Sequence, residues 1–242
     1  MRKIFSLIII FALTVLFTAC LDKKEEPIEK TKDNNTTEET SDNSSNTASG
    51  NEGETGKTDG IKDLKFGTNL IPSGFDKYKG SPVAAAEWED ANGENLIIIS
   101  ETKVNEKEGQ NGTELSKELY GYHFIMDGSD GEELWKIQDF VKDCEFDLTL
   151  SYIPESLTVT DLDNNGIAES TFMYNLSCKS DVSPDDLKLM MHEGKNKYAL
   201  RGYTLLTGIG GDYKVDKAFD DAPESFLDYA KKQWEKFKSF EY

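Results

Sequence analysis

Four oxygen-bearing side chains with a legible common chemistry stand close together in the second half of the chain. Asp161, Asp163, Asn165 and Glu169 take the first, third, fifth and ninth places of Asp161-Leu162-Asp163-Asn164-Asn165-Gly166-Ile167-Ala168-Glu169. Calcium prefers six to eight hard oxygen ligands in a flexible arrangement, and alternate residues of a tight turn can supply them. Asp161, Asp163 and Asn165 would offer side-chain oxygens, Ile167 its backbone carbonyl, and Glu169 both carboxylate oxygens. Gly166 suits the sharp turn, because glycine adopts left-handed backbone angles at no steric cost. An EF-hand would need a glutamate at the twelfth place, where Phe172 stands, and helices on both sides. The flanking patterns are strands, so the expectation is a short hairpin site for Ca2+ with a structural role. The alternative is a metal-free turn of solvated carboxylates, in which three acidic groups repel one another.

Other chemistry is sparse. The sequence contains no Gly-x-Ser-x-Gly elbow, and Gly208-Ile209-Gly210-Gly211 falls short of a nucleotide-binding loop because Tyr213 replaces its third glycine. The two histidines, His123 and His192, read as strand residues rather than as ligands or bases. A glycosidase needs only two facing carboxylates. Glu132, Glu133 and Asp139 are of a suitable type, and solvated faces explain them equally well.

The elements that must position the aspartate turn are mostly strands. Val83–Trp88 and Leu96–Ile99 are separated by Asp90-Ala91-Asn92-Gly93, a strong hairpin signal. Leu119–Met126 alternates, with Tyr120, Tyr122, Phe124 and Met126 on one face, and Leu134–Val141 runs back. Leu157 and Val159 lead into the turn, and Thr171–Leu176 leads out of it. Leu187, Leu189 and Met191 share a face at period two, and Tyr198–Tyr203 follows a Glu193-Gly194-Lys195-Asn196 turn. Residues 62–82 read as an irregular lead-in, and residues 102–117 as a long exposed loop. The expectation is about ten strands in a mainly β, antiparallel domain over residues 62–242, either sandwich-like or partial-propeller-like. Near the end, Phe226, Ala230, Trp234 and Phe237 recur at helical spacing, predicting an amphipathic helix over about 223–240 capped by Asp221. Its aromatic stripe would pack on a sheet or, alternatively, dock a partner.

The first sixty residues differ from the rest. Arg2 and Lys3 precede an apolar run from Ile4 to Phe17, followed by Thr18, Ala19 and Cys20, which is the layout of an export signal. Residues 21–61 are polar and acidic with few aliphatics, too poor in apolar surface to fold, and predict a disordered tether. Arg2 and Lys3 are the two charges of residues 1–20, residues 21–60 hold 5 lysines and 11 acidic residues, and residues 61–242 hold 20 basic and 35 acidic, within a total of −19. Such charge repels phosphate backbones, which argues against nucleic acid as a partner. With Cys20 set aside, Cys144 and Cys178 are left as a pair that an exported protein can oxidise, stabilising the fold by about 3–4 kcal/mol. The alternative is two buried thiols.

Residues 1–20 resemble a bacterial lipoprotein signal, with Phe17 where leucine is usual. The resemblance implies that Cys20 is lipidated and becomes the mature N-terminus. It places the protein in the cell envelope, anchored in a lipid bilayer. Asp22, Glu25 and Glu26 resemble signals that send some lipoproteins to the outer membrane and onto the cell surface. Residues 157–173 resemble the calcium-binding hairpins of integrin-type (FG-GAP) propeller repeats. Only this copy is complete, so a full propeller is not implied. More broadly, Trp135-Lys-Ile-Gln-Asp-Phe140-Val-Lys-Asp-Cys144, the aspartate turn, Leu176-Ser-Cys178-Lys-Ser-Asp181-Val-Ser-Pro184, Lys197-Tyr-Ala-Leu-Arg201-Gly and Phe226-Leu-Asp-Tyr-Ala-Lys-Lys-Gln-Trp234 are similar to a family of exported bacterial proteins. That family is loosely associated with surface polysaccharide biosynthesis. It implies a process, with polysaccharide or envelope proteins as partners, but no reaction.

Three functions are therefore expected in descending order. The first is a non-catalytic, calcium-stabilised envelope lipoprotein. The second is a carbohydrate-binding surface module using Trp88, Trp135 or the tyrosines of residues 119–126. The third is a glycan-active enzyme.

Overall fold

A computed structural model describes residues 60–239. The signal, Cys20 and nearly all of the expected tether lie outside the described residues. Two antiparallel six-stranded sheets face each other. The first contains β1 (Lys62–Phe66), β2 (Ser81–Asp90), β3 (Gly93–Glu101), β4 (Asn105–Glu108), β5 (Thr113–Asp127) and β6 (Asp130–Cys144). The second contains β7 (Asp147–Tyr152), β8 (Thr158–Thr160), β9 (Glu169–Lys179), β10 (Asp186–Glu193), β11 (Asn196–Tyr203) and, after a small hairpin of β12 (Leu205–Leu206) and β13 (Ile209–Gly210), β14 (Tyr213–Val215). Helix α1 (Glu224–Phe237) follows. Of the two architectures expected, the sandwich-like one describes these sheets.

Alternation sorts the side chains into layers. Ile97 and Ile99 of β3 point between the sheets and meet Phe172, Tyr174 and Met190 from the second sheet, whereas Leu96 and Ile98 point outward. The outward face of the first sheet also carries Tyr120, Tyr122 and Phe124, and Ile71, Phe75 and Tyr78 cover it. On the far side, Met173, Leu187, Leu189, Met191 and Leu200 of the second sheet pack against Phe226, Ala230, Trp234 and Phe237 of α1. The aromatic stripe of the helix is thus core, and Trp234 Nε1 donates to Gly211 O at 2.9 Å. Gly121 permits the two sheets to approach. A side-chain carbon there would stand 3.0 Å from both Ile137 and Phe172. Beyond it, Cys144 of β6 is bonded to Cys178 of β9 (S–S 2.07 Å), tying one sheet to the other.

Several expectations need correction. Residues 102–117 are not a loop throughout, because β4 pairs with the start of β5, Asn105 opposite Ser116 and Glu108 opposite Thr113. Both strands lie at the surface, where polar side chains are no obstacle to pairing. The lead-in contains β1 and a short 3-10 turn, Thr68–Leu70. Asp221 does not cap α1. It ends a 3-10 helix, Lys217–Asp221, whose first turn is capped by Asp216, and α1 starts after Pro223 with no side-chain cap. The strands number fourteen rather than about ten among the described residues.

Candidate metal centre

The aspartate turn connects β8 to β9, whose pairing sets Thr160 opposite Glu169 and closes the loop at its base. Inside the loop, Asn164 (φ 61°) and Gly166 (φ 80°) take left-handed angles. Short side chains then satisfy the backbone: Asn165 N donates to Asp163 Oδ1 (3.1 Å), Gly166 N to Asp161 Oδ2 (3.2 Å) and Ile167 N to Asn165 Oδ1 (2.7 Å). The loop is also docked on the first sheet. Ala91 N donates to Gly166 O at 2.8 Å, and Ala168 N to Asp90 Oδ2 at 3.0 Å. Asp90 is held in turn by Trp88 Nε1 at 3.0 Å. The loop therefore bridges the sheets.

This folding gathers Asp161, Asp163 and Glu169, each offering one carboxylate oxygen within 4.8 Å of the others. Asp161 is 2% exposed and Glu169 fully buried. One oxygen of each is held: Asp161 Oδ2 as above, and Glu169 Oε2 by Leu162 N and by the Thr160 hydroxyl, both at 2.9 Å. Their other oxygens, Asp161 Oδ1 and Glu169 Oε1, are buried without a partner. A buried acceptor left unsatisfied costs about 1–3 kcal/mol, and more when charged. Burial pushes the Glu169 carboxyl up to about 8, with Asp163 adding to the shift and the bonds from Leu162 and Thr160 opposing it. A cation would supply what both oxygens lack, and a hard carboxylate set is of the kind calcium takes.

Asn165 stands at the rim. Its oxygen accepts from Ile167 N, while its amide nitrogen donates to Asp163 Oδ2 (3.1 Å) and to Glu193 Oε1 (2.6 Å). Ile167 is fixed through that amide contact. Three neighbours escaped sequence reasoning: Asp90, Glu193 and Gly60. A side-chain carbon on Gly60 would lie 2.4 Å from Asp161 Oδ2, so the chain enters the domain across this carboxylate. No local signal announces any of the three: Asp90 and Glu193 reach the loop by hydrogen bonds between distant residues, and Gly60 precedes β1.

The residues proposed for other chemistries are engaged elsewhere. Trp88, Trp135, Tyr120 and Tyr122 are buried and form no surface platform for sugar rings. Asp139 accepts from the Tyr174 hydroxyl at 2.9 Å and pairs with Lys188, while Glu132 and Glu133 are exposed. A groove of about 800 Å³ between β2 and the end of β7 is lined by Phe66, Val83, Tyr152, Glu101 and Glu155. Within it, Glu101 is committed to Tyr152 N (2.7 Å) and Lys117 (2.6 Å). No protein-family model, curated protein or solved structure matches the chain.

Proposed function

We propose that this chain is a non-catalytic cell-envelope lipoprotein whose β domain is stapled by calcium, anchored through Cys20 and serving surface assembly or binding, with polysaccharide or envelope proteins as partners. The observation that carries the metal half is the pair of buried, unpartnered oxygens on Asp161 and Glu169, with Asp163 beside them. Asp161, Asp163 and Glu169 would hold the ion, with Asn165 and the Ile167 carbonyl completing its oxygen shell as the loop pattern suggests. The ion would neutralise the carboxylates gathered where the chain passes from β8 to β9. The anchor half rests on the residue order that ends at Thr18-Ala19-Cys20.

Thermal unfolding in calcium against chelator tests the staple. Calcium at roughly a hundredfold its dissociation constant stabilises by about 2.7 kcal/mol, which for a domain of this size raises the melting temperature by about 5–10 °C. Asp163→Ala abolishes the rise. Superimposable wild-type curves in calcium and in chelator would sink the reading.

A further inference from the structure

Glu193 lies at the end of β10, outside the aspartate loop, directly opposite Glu169 in the β9–β10 ladder. Opposed residues of an antiparallel pair share a face, and two acids placed so conflict whenever both are charged. The neighbouring cross-strand pairs of this ladder carry no such conflict: Met191 faces Thr171 and His192 faces Ser170. Glu193 is also held towards the loop, because one nitrogen, Asn165 Nδ2, donates at once to Glu193 Oε1 (2.6 Å) and Asp163 Oδ2 (3.1 Å). One NH2 group thus draws the two carboxylates together.

We propose that Glu193, which stands outside the three acids gathered within 4.8 Å of one another, is an outer carboxylate of the cation site, supplied by β10 rather than by the loop, and that it sets the affinity of the site through Asn165. This rests on the calcium reading above. Calcium affinity is tuned by the number of charged ligands and the rigidity with which they are held. An outer acid on a paired strand adds charge and rigidity at the rim. It also makes cation binding join three strands, β8, β9 and β10, where a loop motif alone would join two.

Calcium titration calorimetry on the full-length protein in detergent micelles tests this, comparing wild type with Glu193→Gln and Glu193→Asp. Glu193→Gln weakens calcium binding about tenfold or more, yet in chelator melts no lower than wild type. Glu193→Asp keeps most of the affinity. Binding by Glu193→Gln within twofold of wild type overturns the proposal, as does a variant that melts lower in chelator, which makes Glu193 a strut of the sheet. Absence of calcium binding in the wild type overturns the underlying reading itself, a result distinct from either.

Discussion

Two histidines face each other's surroundings across a single indole. His123 Nε2 lies 2.9 Å from Asn95 Oδ1, and because Asn95 Nδ2 donates to Gly93 O, the histidine must be the donor. Its Nδ1 is then a bare, buried acceptor without a partner, and His192 Nδ1 is likewise buried and unpartnered. His192 stacks on Trp135 at 3.9 Å, and His123 meets the same ring edge-on at 5.6 Å. Burial pushes His123 down to about 4 against the pull of Asp90, and His192 down to about 3 with Lys197 adding to the effect. Both groups are thus neutral when folded and take up a proton near 6.5 when unfolded. The stability they permit is complete above pH 6.5 and is lost as pH falls towards their folded values. For His123 alone the loss between pH 6.5 and 4 is about 3 kcal/mol. In urea titrations across that window, in chelator, His123→Gln loses correspondingly less than wild type. Parallel curves for the two would remove His123 as a cause. The sequence was sufficient to place both histidines on strands. Their sharing of Trp135 depends on how the sheets stack, and no local pattern encodes that.

At the scale of elements, legibility followed burial. The Asn92-Gly93 hairpin, the alternation of residues 119–126 and the period-two face of Leu187, Leu189 and Met191 each put apolar side chains on a covered surface, and each is found where the pattern placed it. β4 and the beginning of β5 were illegible for the opposite reason: Asn105-Glu106-Lys107-Glu108 is wholly exposed and has no apolar face to announce a strand. The aspartate loop was readable as oxygen spacing, but Glu193 and Asp90 reach it only through strand pairing. β9 matters most. Glu169 begins it within the cation cluster and Cys178 lies near its other end in the bridge, a separation of roughly 30 Å at about 3.3 Å per residue. A cysteine pair and an acid loop that bracket one another in sequence therefore fasten opposite ends of the sandwich. Sites so far apart without shared partners add their effects to within about 0.5 kcal/mol. Reduction lowers stability by about 3–4 kcal/mol, chelation lowers it separately, and denaturant titrations of the doubly treated protein show the sum. A combined loss clearly smaller than that sum means the two ends communicate.

For the whole molecule, composition reached furthest where the described residues do not extend. The acidic excess, −19 over the chain, favours cations over phosphate surfaces at long range. Among the described residues no helix is long and apolar enough to cross a membrane. On the proposed reading, attachment runs through acylation at Cys20. Phase partitioning in a cloud-point detergent places wild type in the detergent phase and Cys20→Ser in the aqueous phase, with fatty-acid labelling lost in the variant. Equal partitioning of the two would dismiss the anchor.

The two fastenings at either end of β9 share a dependence on what surrounds the chain. The Cys144–Cys178 bond requires an oxidant, and the Asp161–Asp163–Glu169 cluster, on the proposed reading, a divalent ion. A reducing cell interior withholds the first, and cytosolic free calcium is kept scarce by high-affinity buffers. A copy retained at its place of synthesis would stay unlatched at both ends, easy to unfold and to degrade. One that has been delivered outside closes twice over, so its rigidity becomes a certificate of arrival.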